Sequence, residues 1–210
     1  MSKQYIINVT GIQGSGKSYI CHKLKQIPCI DTDKVLYNTF TKLLKNSKKF
    51  QKYLTIPDKN NPENIPEKAS NLLFKQAKKN LQDEIKKANK PLIIVVGITI
   101  EVKSNLKFFI KLNNKELEKI YRRVMIREAD KIKDNYNSVK KIINNENIYN
   151  IASILLFKYE IGAINQIFPF AGFKKMYQGI EKYEKKQKAL VKTQYQIIKH
   201  IEKIYKQLDK

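Results

Sequence analysis

Short apolar runs along this chain alternate with longer stretches whose apolar residues recur at helical spacing. Tyr5 to Val9 and Phe108 to Leu112 have the length and composition of strands, and Pro28 to Ile30 fits a third, with Pro28 tolerated at its first position. Leu92 to Val96 is a continuous apolar run bounded by Pro91 and Gly97, the pattern of a central parallel strand buried on both faces. Between these runs, Tyr19 to Lys25 and most of Val35 to Leu54 read as helix. Glu67 to Asn89 reads as a long amphipathic helix carrying Leu72, Leu73, Ala77, Leu81 and Ile85 on one face. Asn113 is placed to open a further helix, and Pro57 to Pro66 is a polar connection. Ile142 to Tyr159 has a helical pattern, while Phe168 to Phe173 reads as an aromatic loop or short strand around Pro169. Strands alternating with helices predict an α/β fold around a parallel sheet.

The last segment follows a different rule. Ile180, Tyr183, Gln187, Leu190, Gln194, Ile197, Ile201, Ile204 and Leu208 recur in steps of three and four. Such spacing predicts one amphipathic helix of about thirty residues, packed along its own domain or pairing with a second chain. Residues 1–175 are then one domain and 176–210 the helix, giving a monomer or a homodimer through that helix.

Among the loops, Thr10 to Ser18 stands out. It contains Gly11-Ile12-Gln13-Gly14-Ser15-Gly16-Lys17-Ser18, a complete phosphate-binding pattern between a predicted strand and a predicted helix. Its glycines allow successive backbone N–H groups to turn inward around phosphate oxygens, and the helix opening near Lys17 adds its positive end. In this pattern Lys17 reaches the β- and γ-phosphates of ATP and Ser18 ligates Mg²⁺, with Tyr19 next along the helix. Beyond the following helix lies Asp31-Thr32-Asp33. Alternation at a strand end would send both carboxylates into the crevice above the sheet, one toward the hydration shell of Mg²⁺ and one toward an acceptor hydroxyl.

Composition adjusts this picture modestly. A hydrophobic content of 42% over 210 residues supports a packed domain. The formal charge of +23 would attract polyanions, but its lysines are spread over almost every polar stretch, so nucleic acid is not the favoured partner. Of 42 basic residues only Arg122, Arg123 and Arg127 are arginine, and they cluster within one window. The planar guanidinium suits geometric recognition of phosphate in a way that lysine does not. Arg123 and Arg127 share a helix face at i, i+4 and form the preferred clamp. Lys42, Lys45, Lys48 and Lys49 fit a solvated helix face, and Phe168, Phe170, Phe173 and Tyr177 suit packing of the last helix better than stacking on a base. Cys21 and Cys29 have no metal-ligand spacing and read as buried thiols of a reducing compartment. With no membrane-length apolar run and no signal-peptide pattern, a cytoplasmic setting is expected.

Gly11 to Ser18 followed by Asp31-Thr32-Asp33 resembles the start of the nucleoside, nucleotide, shikimate and gluconate kinase families. In the shikimate kinases the first acid of such a pair lies near Mg²⁺ and the second contacts substrate hydroxyls, which implies metal-side Asp31 and acceptor-side Asp33. Phe108 to Leu112 followed by the three arginines is also similar to these families, where a strand leads into a helix and a short lid, here near 122–135, whose arginines embrace the transferring phosphates. Two departures stand beside the resemblance. The central strand ends in Gly97-Ile98-Thr99 where many P-loop enzymes carry a Walker B acid, although some gluconate-type kinases also lack it; the metal then leans on Ser18, Asp31 and water. The glycine triplet and substrate arginines of shikimate kinases are missing, so shikimate is not the expected acceptor.

Together these observations predict a P-loop NTPase three-layer sandwich with four or five parallel strands. The expected activity is ATP- and Mg²⁺-dependent phosphoryl transfer to a small molecule, with a nucleoside, nucleotide or related metabolite as acceptor. Lys17, Asp33, Arg123 and Arg127 would carry catalysis. A 5′-polynucleotide kinase and a non-catalytic nucleotide-binding interaction protein are the alternatives.

Overall fold

The computed structural model describes residues 4–55, 66–97, 99–123 and 170–208. The expected helix over 142–159, Arg127, Phe168 and nearly all of the 57–66 connection lie outside the described residues.

Strands β1 (Tyr5–Thr10), β2 (Cys29–Asp31), β3 (Leu92–Val96), β4 (Leu106–Ile110) and β5 (Leu190–Lys192) form one five-stranded sheet in the order β2-β3-β1-β4-β5. Every pairing is parallel, with Ile7 opposite Ile94 and Leu106, and Val9 opposite Val96 and Phe108. β3 is buried at all five positions, as its unbroken apolar sequence requires. The two edge strands have three residues each, which limits the unpaired backbone they expose.

Side-chain alternation divides the core between the two faces. Ile7, Val9, Ile94, Val96, Phe108 and Ile110 pack under α1 (Lys17–Lys23) and the C-terminal helix α7 (Gln194–Leu208). On the opposite face, Ile93 and Val95 meet α2 (Thr32–Asn46) and α4 (Glu67–Ala88). Phe109 meets the helix at 114–123, α5, and α6 (Phe170–Lys186). Helix α3 (Lys48–Leu54) closes a satellite cluster with α2 and α4 around Phe40, Leu44, Phe50 and Leu73. The molecule is therefore a three-layer α/β sandwich.

Local sequence explains several boundaries. Ser47 ends the helix expected across 35–54 and starts another, its hydroxyl accepting from Phe50 N at 3.2 Å. Asn113 and Glu116 form a reciprocal capping box, with Asn113 Oδ1 accepting from Glu116 N at 2.9 Å and Glu116 Oε2 from Asn113 N at 2.8 Å. The C-terminal seam differs from expectation, because it crosses two helices and a strand. α6 stops at Lys186, Lys188 takes φ 60°, and Leu190–Lys192 pairs with β4 before α7 begins. Regular three- and four-residue steps pass unaltered through so short an edge strand. Ile197 and Ile201, in the middle of the seam, are fully buried in the chain's own core.

Cys21 on α1 and Cys29 on β2 are joined by a disulfide across a Cα separation of 5.7 Å. Both are only partly buried, so the expectation of two buried thiols is not met, and neither gives support for a reducing compartment. No helix among the described residues is long and apolar enough to cross a membrane.

Phe108 is fully buried under α7, where its ring meets His200 edge-on at 5.2 Å. Phe108→Ala is expected to cost about 3–5 kcal/mol in urea unfolding, with an unchanged m-value. A loss below about 1 kcal/mol would contradict this packing.

Candidate functional site

The phosphate-loop sequence bridges the carboxyl end of β1 and the start of α1, next to both central neighbours of β1. Thr10 Oγ1 donates to Phe108 O at 3.0 Å and Gly97 N donates to Val9 O at 3.1 Å, so the root of the loop is tied to β4 and to the end of β3. Ile12 is 1% exposed and packs with Phe109, which anchors the loop in the core. Ser15 N donates to Ile12 O at 3.1 Å and closes the turn. The N–H groups of Gly14, Gly16 and Ser18 make no hydrogen bond among the described residues. Three unpaired donors in one turn are the elements of an anion-binding concavity. α1 has only seven residues, so these local donors matter more than its dipole.

Lys17 folds back over the loop, donating from Nζ to Gly11 O at 2.8 Å and Ile12 O at 3.0 Å. Ser18 and Tyr19 are exposed, while Gln13 is partly buried. Gly16 has φ 89°, a conformation that favours glycine, and leads directly into Lys17.

The acid pair lies at the same edge of the sheet, because β2 is parallel to β3 and β3 to β1. Its geometry is not the alternation expected for an extended strand. Asp31 is the last residue of β2 and the N-cap of α2, its Oδ1 accepting from Asp33 N at 2.9 Å and Lys34 N at 3.4 Å. Asp33 already belongs to the first turn of α2 and is exposed. Its carboxylate accepts a hydrogen bond from the Thr99 hydroxyl. Thr99 is the functional candidate that sequence reasoning passed over: it lies where a Walker B acid was sought, and it holds an acid supplied by the first turn of α2. Gly97, with φ 123°, permits this approach, since a Cβ there would collide with Thr32 Oγ1 and lie 3.1 Å from Thr32 Cβ.

The arginines are less closely joined to the loop. Arg122 pairs with Glu118 on the surface of α5 at 2.8 Å, a contact of small energetic weight at this exposure. Arg123 is exposed on the same helix and makes no hydrogen bond or ion pair with the phosphate loop, while Arg127 lies outside the described residues. Phe173 and Tyr177 are core residues: Phe173 is fully buried, and Tyr177 packs 5.6 Å from the Phe109 ring and accepts from Leu112 N at 2.9 Å. Burial pushes the Tyr177 phenol above its ordinary range, with the Leu112 N–H acting in the opposite direction. Lys42, Lys45, Lys48 and Lys49 are all exposed on α2 and α3.

No protein-family model matches the chain, and no curated protein matches it. Among solved structures, the chain is similar to TT1252 from Thermus thermophilus, at 22% identity and a TM-score of 0.45, over 60% of this chain and 73% of that one. The chain's own arrangement defines the class: a three-layer α/β fold with an open parallel sheet of five strands and a glycine-rich loop after its central strand.

The capping role of Asp31 has a direct test. Asp31→Ala should lower unfolding stability by about 0.5–2 kcal/mol, whereas Asp31→Asn, an equally good N-cap, should stay within a few tenths. Equal losses in urea denaturation would contradict the cap.

Proposed function

We propose that this chain is an ATP-dependent phosphotransferase that moves the γ-phosphate to a hydroxyl or phosphate of a small molecule, with a nucleoside, nucleotide or related metabolite as acceptor. The observation that carries the proposal is the position of Gly11 to Ser18 and the Asp33–Thr99 pair at one carboxyl edge of β1, β2 and β3. Ligands of open parallel sheets bind in that crevice.

In this mechanism the N–H groups of Gly14, Gly16 and Ser18 bind phosphate oxygens, and the Lys17 ammonium offsets their charge. Asp33 orients the acceptor hydroxyl and receives its proton, while Thr99 fixes the carboxylate that does so. Arg123 and Arg127 serve as the clamp on the transferring group. Mg²⁺ suits the available donors: it commonly takes one or two protein oxygens and completes its shell with phosphate and water. The exposed Ser18 hydroxyl and the partly buried Asp31 carboxylate would supply those oxygens, and the ion would neutralise charge on the β- and γ-phosphates. A small acceptor is favoured over a nucleic-acid strand because, among the described residues, exposed lysines are spread over α2, α3, α4 and α7 alike.

Transfer from γ-labelled ATP should be assayed with Mg²⁺ and separate pools of nucleosides, nucleoside monophosphates, small hydroxy metabolites and 5′-hydroxyl oligonucleotides. Label is expected in a small-molecule pool. Asp33→Asn should lower kcat about 10²–10⁴-fold while largely sparing ATP affinity, and Lys17→Ala should weaken nucleotide use. Unchanged turnover in both variants would remove the proposed site.

A further inference from the structure

The phosphate loop has a partner from the far end of the chain. Gln194, the first residue of α7, donates from Nε2 to Ser15 O at 2.5 Å, across 179 positions of sequence. Its carboxamide also fills the space beside Gly16, where a Cβ would lie 2.8 Å from Gln194 Cδ. One side chain thus holds the carbonyl of the Ser15–Gly16 peptide and covers the residue that follows.

That contact has a directional consequence. In a trans peptide the C=O and the N–H of the next residue lie in one plane and point in opposite directions. A donor that fixes Ser15 O on the α7 side therefore directs Gly16 N–H away from α7, and this N–H has no hydrogen-bond partner among the described residues. The φ of 89° at Gly16 leaves the peptide open to reorientation in a glycine, so an external anchor matters here.

Gln194 is well placed to act as such an anchor. β5 is paired to β4, and Lys111 N donates to Lys192 O at 2.9 Å, just before α7 begins. Thr193 caps the helix: its Oγ1 accepts from Gln196 N at 3.4 Å, and its own N–H donates to Gln196 Oε1 at 3.1 Å. Ile197 and Ile201, both fully buried, seat α7 against the sheet and α1. A residue on a capped, packed helix holds its partner more tightly than one on a loop.

We propose that Gln194 is a positioning residue for phosphate binding, setting the Ser15–Gly16 peptide so that Gly16 N–H faces the bound phosphates. It acts through the loop and does not touch the nucleotide. The proposal rests on the nucleotide-site function proposed above.

Gln194→Met keeps the volume and removes the donor, and Gln194→Glu places an acceptor against the Ser15 carbonyl. Affinities for Mg·ATP and for Mg·tripolyphosphate should be measured calorimetrically in the full chain and both variants, with circular dichroism confirming the fold. Both variants should bind both ligands about five- to tenfold more weakly, and by the same factor for each ligand. The Gly16 amide resonance should also lose its shift on addition of tripolyphosphate. Wild-type affinity for both ligands in the variants would overturn the proposal while leaving the nucleotide site standing. A loss confined to ATP would overturn it by making Gln194 a contact to the base or ribose. A wild-type chain that binds neither ligand would overturn the nucleotide site and this proposal with it.

Discussion

A loop whose N–H groups at Gly14, Gly16 and Ser18 make no hydrogen bond among the described residues cannot hold its shape by those groups, so it must be held from outside. Here the restraints come from both neighbours of the central strand and from both ends of the chain. Thr10 ties the root of the loop to β4, and Gly97 N–H ties the end of β3 to Val9. Ile12 anchors the loop in the core beside Phe109, and Gln194 fixes its far side from α7. Each restraint uses a carbonyl, a hydroxyl or an apolar side chain, and leaves the N–H groups of Gly14, Gly16 and Ser18 unengaged.

The same economy shapes the acid side of the crevice. Asp31 spends one oxygen on capping α2, which locks the start of that helix to the end of β2. Asp33 is then carried into position by the first turn of α2 and held by Thr99, across the gap that Gly97 leaves open. A strand end, a helix cap and a glycine at φ 123° combine to place one exposed carboxylate.

Much of this frame was legible in the sequence, for identifiable reasons. Leu92 to Val96 is apolar throughout because both faces of β3 are covered, and the glycine-rich loop is legible because its residue types stand at a fixed spacing between a strand and a helix. Other features depend on contacts that spacing does not encode. The seam from Ile180 to Leu208 conceals the strand β5, whose assignment rests on pairing with β4. Gln194 looked like one of two polar residues in that seam, yet its partner is Ser15. Thr99 was hidden by the search for an acid at the end of β3, although a hydroxyl two residues past Gly97 was the available signal. Cys21 and Cys29, eight residues apart, meet because the chain folds back between α1 and β2.

The central claim is that the N–H groups of the loop hold the phosphates of ATP, and backbone hydrogen exchange tests it most directly. Exchange should be followed by mass spectrometry on peptides covering the whole chain, with and without Mg·ATP. Slowed exchange centred on residues 11–19 is the expected result. Protection confined to other segments, at concentrations where ATP is shown to bind, would contradict the account.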